Sequence, residues 1–303
     1  MNLQFLADGL LMGAMIGLGA IGVTLTYSIL GFANFVHGEF VTWGAYSCFV
    51  MAGAIGFGLG LEMEAIGPFS IGWVVLFSGA LAMAFTGGLA LALDWLLFRR
   101  LRRHGNAIVM VMASFGASMA LRSLLEFLFS AQPAYFSRDI QIAMPVGLGI
   151  RVTPDQLLML GLTVVLVFGM HLLITRTTIG RSMRAVAENP HLAAVAGIDV
   201  ASVIRKTWLI GGALACAAGI IAGITVQIRP FMGFDLLLPM FAAAILGGIG
   251  SVPGAVLGGV IVGLAESMAV QFVGAEYRAA IAFLLLIAVL LVRPAGLFGR
   301  AES

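Results

Sequence analysis

Apolar stretches of about twenty residues recur along this chain, separated by short polar breaks. That recurrence constrains the fold more than any motif does. In lipid every backbone N–H and C=O must be satisfied within the spanning structure, which leaves helices or closed barrels, and about 20 apolar residues is the length of a helical span. The stretches lie near residues 8–30, 41–58, 70–97, 106–130, 156–174, 207–227, 236–272 and 278–292. The seventh runs for 37 positions, too long for one ordinary span and short for two. The sequence therefore reads as an all-α polytopic membrane protein of about eight (eight to nine) transmembrane helices, one transmembrane domain over residues 1–303. Only 10% of residues are charged, against roughly 25% in a soluble chain, so no sizeable soluble domain is expected. A net charge of +2 gives no case for nucleic acid.

Charge position says more than charge total. No basic residue precedes Arg99, so the basic n-region of a cleavable signal peptide is missing and the first apolar stretch is expected to stay as a span. Eleven of the 16 basic residues fall in three segments, Arg99–Arg103, Arg176–Lys206 and Arg293–Arg300. Short basic loops stay on the cytoplasmic side, which places loops 99–105 and 175–206 and the C-terminus there. The side of the N-terminus stays open, as does the choice of eight or nine spans. Residues 131–155, with no clear periodicity, form the longest candidate external loop. Asp94 is expected to pair with a nearby arginine, and Arg122 and Glu126, four apart on one helix face, are a candidate pair. Cys48 and Cys216 sit in apolar runs and read as small hydrophobes.

Two breaks interrupt the apolar pattern. In Gly31–Phe40 the polar residues Asn34, His37 and Glu39, with Gly38 among them, stand between glycines. Polar groups and irregular backbone at membrane depth are tolerated where they face protein or a water-filled cavity. The stretch reads either as a broken or re-entrant helix lining a solute path or as a short interfacial loop. The second break, Gly247, Gly248, Gly250, Pro253 and Gly254, divides the 37-residue stretch. It suggests two short helices meeting in a discontinuity whose freed backbone groups can serve a binding site. Gly9, Gly13 and Gly17, four apart, suit close helix packing.

The longest polar run is Thr175–Lys206. Within it Asn189 suits an N-cap, Pro190 the first helical position and Gly197 the left-handed residue after the last turn. The short helix between them carries small Ala193, Ala194 and Ala196, which suit packing into a groove of another protein. An ordinary short amphipathic helix is the alternative.

No phosphate-binding Gly-rich loop precedes Lys206, the only lysine, so any ATP hydrolysis belongs to another chain. Nucleophile-elbow, His-Glu-x-x-His and potassium-filter motifs are missing as well.

Four stretches in order along the chain together resemble the LivH-type permease subunits of the branched-chain amino acid ABC importer family. They are Gly31–Gly44 (GFANFVHGEFVTWG), Gly180–Val203 (GRSMRAVAENPHLAAVAGIDVASV), Pro230–Gly259 (PFMGFDLLLPMFAAAILGGIGSVPGAVLGG) and Arg293–Phe298 (RPAGLF). The resemblance implies a coupling helix in the 175–206 loop that docks on an ATPase, carried onto Glu188, Asn189, Pro190, Ala193, Ala194 and Gly197. Where such permeases often show Glu-Ala-Ala and then Gly, Leu192 stands before Ala193–Ala194 here, and the acidic residue is Glu188. The resemblance further implies a bacterial inner-membrane machine with a second related permease, two ABC ATPase subunits and an external solute-binding protein. ATP and magnesium would sit on the ATPases, with no cofactor on this chain. The solute is a branched-chain or related amino acid, or, in relatives with the same motifs, urea, short amides or other small organic acids. Asn34, His37, Gly38 and Glu39 are the candidates for the substrate path. An ion-coupled secondary carrier is the rival from another class. It would use Glu39 and Glu266, and leaves the capped helix at 189–197 without a task.

Overall fold

The computed structural model describes residues 3–59, 66–102, 105–137, 141–147, 149–293 and 295–299. Arg103 and His104 of the first basic segment, and Pro294 and Arg300 of the last, lie outside these. The helices in order are α1 (Gln4–Leu30), α2 (Val36–Leu59), α3 (Trp73–Leu93), a π-helical turn (Asp94–Phe98) running on into α4 (Arg99–Leu101), α5 (Ala107–Phe129), α6 (Pro154–Arg176), α7 (Thr178–Glu188), α8 (Pro190–Val195), α9 (Val200–Thr225), α10 (Met232–Gly247), α11 (Val252–Phe272) and α12 (Arg278–Val292). Among the described residues eight helical stretches are long and apolar enough to cross a membrane, α10 being shorter at 16 residues. The protein is an all-α multi-pass membrane protein.

Helices α1 and α9 form the centre: 78% of the most apolar window of each is buried, against 17% for α6 and 6% for the stretch ending in α12. Small residues make this possible. A Cβ on Gly9 would lie 2.8 Å from the Leu264 Cα, and one on Gly13 would lie 2.7 Å from that of Val260. The glycine row of α1 is thus a seam along which the backbone of α11 lies in direct contact, antiparallel to it. Close approach lets dispersion act over the whole seam, the main source of helix association in lipid. Bundle packing accounts for the row.

The seam also fixes which ends meet. At the start of α11 the Gly250 N–H donates to Thr24 Oγ1 at 2.7 Å, near the end of α1, while Ser267 Oγ donates to the Phe5 carbonyl at its beginning. Ile29 of α1 packs with Met183, Val186, Ala193 and Val203 of the α7–α9 region. The 175–206 loop, the 248–251 turn and the chain after α12 therefore share one end of the bundle, called here the basic end. The N-terminal residues lie at the opposite end, where Gln4 bonds to Arg151.

Residues 131–155 hold more structure than their sequence suggests. Strands β1 (Met144–Gly147) and β2 (Ile150–Val152) pair antiparallel, because Gly147 and Gly149 take φ of 114° and 78° and turn the chain tightly. Thr153 and Gln156 then close a capping box at the start of α6. Asp94 pairs with Arg102 at 2.6 Å, as expected.

Both breaks are present, each more confined than the sequence reading. The first is only Gly31–Phe35. Gly31, at φ 73°, ends α1 by donating its N–H to the Tyr27 carbonyl, and Asn34 Oδ1 accepts from the Val36 N–H to start α2. The second is Gly248–Ser251. Gly248 and Gly250 have positive φ, Ser251 caps α11 through the Gly254 N–H, and α11 is a full span of 21 residues rather than a half helix. Two of the freed carbonyls are taken up within the chain itself. The carbonyls of Leu246 and Gly247 accept from the N–H groups of Leu297 and Phe298 at 2.8 and 3.1 Å, so the chain beyond α12 clasps the end of α10. Leu297→Pro removes one of these donors and strands a carbonyl, at a cost of about 1–3 kcal/mol. Thermal unfolding in detergent should show it, and an unchanged midpoint would mean that the clasp adds nothing.

Candidate functional site

The first turn of α2 gathers the polar residues singled out in the sequence. His37 lies against α1 because Gly22 has no side chain: a Cβ there would come within 2.9 Å of Nε2. The ring meets the Gly19 carbonyl at 3.1 Å through Nε2. A carbonyl cannot donate, so Nε2 is the donor in this contact. Gly38 admits α10 in the same way, since a Cβ would lie 2.7 Å from the Gly233 carbonyl, and the Gly233 N–H donates to Thr42 Oγ1.

Glu39 is 1% exposed. Its Oε1 accepts from Ser118 Oγ at 3.0 Å and from Arg122 Nε and Nη2 at 3.2 and 2.6 Å. The guanidinium in turn lies over the rings of Phe231 and Phe234, at 4.9 and 4.4 Å from their centroids. One ion pair thus joins α2, α5 and the start of α10. The i,i+4 reading of Arg122 with Glu126 is corrected here: the ion pair of Arg122 is with Glu39, because α2 runs alongside α5 and presents a carboxylate in the buried interior. Helical spacing is visible in a sequence, whereas a partner 83 residues away is not.

This turn is not fully satisfied from within. Asn34 Nδ2, His37 Nδ1 and Glu39 Oε2 are buried and make no hydrogen bond among the described residues. None of the four candidate path residues lines the cavity that opens among the helices elsewhere in the bundle. That space, about 390 Å³, lies at the end opposite the basic one, among α1, α6, the end of α9, α10 and α11. The sequence reading missed it. Its only hint was Glu266, noted as a possible coupling carboxylate.

At the basic end α7 and α8 form a small amphipathic elbow. The expected signals hold: Asn189 Oδ1 accepts from the Leu192 N–H at 3.0 Å, Pro190 opens α8, and Gly197 has φ 85°. The face needs correction. Ala193 is 4% exposed and turns inward onto Met183, Val186 and Val203, because the elbow needs its own apolar anchor. Leu192 at 67% and Val195 at 89% point outward, together with Glu188, Pro190, Ala194 and Gly197, while Asn189 is half-buried.

Apolar helices bundled around buried polar contacts, with a cavity at one end and an exposed apolar elbow at the other, suit a membrane transport subunit. The family model described as "Branched-chain amino acid transport system / permease component" matches residues 5–290, and the chain belongs to that family. It is 33% identical over 305 residues to the high-affinity branched-chain amino acid transport system permease protein BraD of Pseudomonas aeruginosa, covering 99% of this chain and 96% of that one. It is 32% identical over 310 residues to LivH of Escherichia coli K12, named as the corresponding permease protein, with the same coverage. A probable LivH of Methanocaldococcus jannaschii is 27% identical over 295 residues, covering 92% and 87%.

Proposed function

We propose that this chain is a permease subunit of an ATP-driven importer carrying branched-chain or related amino acids across a bacterial inner membrane. It works with a second related permease, two ABC ATPase subunits and an external solute-binding protein. ATP and magnesium sit on the ATPases, and this chain holds no cofactor of its own. The basic end faces the cytoplasm, in line with the positive-inside bias, which puts loops 99–105 and 175–206 and the C-terminus inside and the start of α1 outside.

The observation that carries this reading is the outward pair Leu192 and Val195 on a capped helix that is anchored from behind. Large apolar side chains held out on a rigid turn suit a groove on a partner. The anchor gives a route for force. Ala193 of α8 touches the cluster of Met183, Val186 and Val203, against which Ile29 of α1 also packs, so a push on α8 reaches both central helices. ATP-driven closure of the ATPase pair would shift α1 and α9 together. The unsatisfied atoms of Asn34, His37 and Glu39 support a substrate path past the first turn of α2, beside Gly38.

The paired substitution Leu192→Asp and Val195→Asp should break docking and leave the fold intact, since both side chains lie outside the core. Loss of a docking anchor worth 2 kcal/mol or more weakens association by tenfold or more. The chain should still insert and co-purify with its partner permease, but with little ATPase and little ATP-dependent amino acid uptake. Undiminished co-purification of ATPase would overturn the assignment.

A further inference from the structure

The cavity of about 390 Å³ has a composition that the packing of the bundle does not account for. Its apolar wall includes four methionines, Met12 and Met15 of α1, Met159 of α6 and Met232 of α10, set among aliphatic side chains such as Leu11, Leu160 and Leu236. Unbranched thioether chains adjust to differently shaped partners at little cost. Into this wall comes Glu266, the fifteenth residue of α11 and 1% exposed. Its Oε1 makes no hydrogen bond among the described residues. Arg278, the first residue of α12, lines the same cavity and forms no ion pair within 4 Å among the described residues. The other arginine of the lining, Arg229, is already paired with Asp235 at 3.3 Å.

An acid buried in a membrane protein without a partner is costly, and such groups mark sites where an ionised or hydrogen-bonding ligand arrives. A carboxylate deep in a flexible apolar wall, with a guanidinium lining the same space, has the charge order of a zwitterion. The volume lies within the roughly 300–1,000 Å³ range of small-molecule sites. We infer that this cavity receives an α-amino acid with an apolar side chain, its ammonium on Glu266, its carboxylate toward Arg278 and its side chain against the methionines. The inference rests on the importer reading and deepens it. It places the first contact with solute at the end away from the ATPases, and it predicts tolerance of several apolar side chains together with rejection of acidic ones.

The test uses the complete importer in proteoliposomes with its binding protein. Met12→Cys puts a thiol on the cavity wall, while Cys48 and Cys216 are buried. In the importer carrying Met12→Cys, saturating leucine should slow thiol labelling at position 12 about tenfold, and aspartate should not. Glu266→Gln, which keeps size and shape, should remove that protection and lower leucine uptake at least tenfold while the subunits still co-purify as one assembly. Glu266→Asp should recover part of the uptake. If leucine is taken up normally but neither protects position 12 nor depends on Glu266, the cavity assignment falls and the importer reading stands. If the unaltered importer moves no amino acid at all, both fall.

Discussion

Arg122→Ala should be among the most damaging single substitutions in the protein. It leaves the Glu39 carboxylate, 1% exposed, with Ser118 as its one remaining hydrogen-bond donor among the described residues. It also removes the cation from the faces of Phe231 and Phe234. Breaking a buried ion pair from one side costs about 3–5 kcal/mol, chiefly because the surviving charge is stranded. Glu39→Gln should cost less: the amide oxygen still accepts from Ser118 and Arg122, and the guanidinium keeps both rings. Joint replacement by Leu at 39 and Met at 122 should recover much of the loss, because two apolar side chains of similar size need no partners. The comparison is a double-mutant cycle of Glu39→Leu, Arg122→Met and the two together, read by thermal unfolding in detergent. If the double variant is as unstable as the sum of the two single ones, the pair is not coupled and the description of α2, α5 and α10 as tied by one charge contact is wrong.

That contact marks where sequence reading stops for this chain. Spans are legible because lipid forces each one to be long, apolar and internally bonded, and the ends of α8 are legible because caps are local chemistry: Asn189, Pro190 and Gly197 act within one turn. The basic end is legible because eleven arginines and lysines gather in three segments. The partner of Arg122 is not, since Glu126 four residues on is the only neighbour that helical spacing supplies, and Glu39 arrives through tertiary packing. The same limit hid the inward turn of Ala193. A six-residue helix has no hydrophobic period long enough to show which face it buries. The position of the glycine-proline break is legible but its fate is not, because the N–H groups that bond the Leu246 and Gly247 carbonyls come from Leu297 and Phe298 beyond the last helix. The cavity escaped altogether. It is lined from six elements, α1, α6, the end of α9, α10, α11 and α12, and methionine within a span looks like any other apolar residue.

Gly13→Leu should be as severe as Arg122→Ala, for a purely steric reason. A Cβ at position 13 meets the Val260 Cα at 2.7 Å and the Gly259 carbonyl oxygen at 2.8 Å. Both are backbone atoms of a full-length helix, so no rotamer change relieves the clash, and α1 and α11 must move apart. Overpacking a core typically costs about 1–3 kcal/mol when side chains can give way. Here the separation would also forfeit dispersion along the seam that includes Gly9, Gly17, Gly259 and Gly263, so the cost should exceed about 3 kcal/mol and little folded protein should be recovered. The control lies in α6, where a Cβ on Gly161 meets nothing within 4 Å. Gly161→Ala should be neutral or stabilise by about 0.5–1 kcal/mol, the ordinary gain of Ala over Gly inside a helix. Recovery of monodisperse protein in detergent and its melting temperature compare the two. If Gly13→Leu behaves like Gly161→Ala, α1 and α11 do not lie in backbone contact and α1 loses its place at the centre of the bundle. If Gly13→Leu fails while Gly161→Ala is tolerated, the distinction between seam glycines and surface glycines holds. The loss would then be traced to one helix pair rather than to a general intolerance of bulk within the spans.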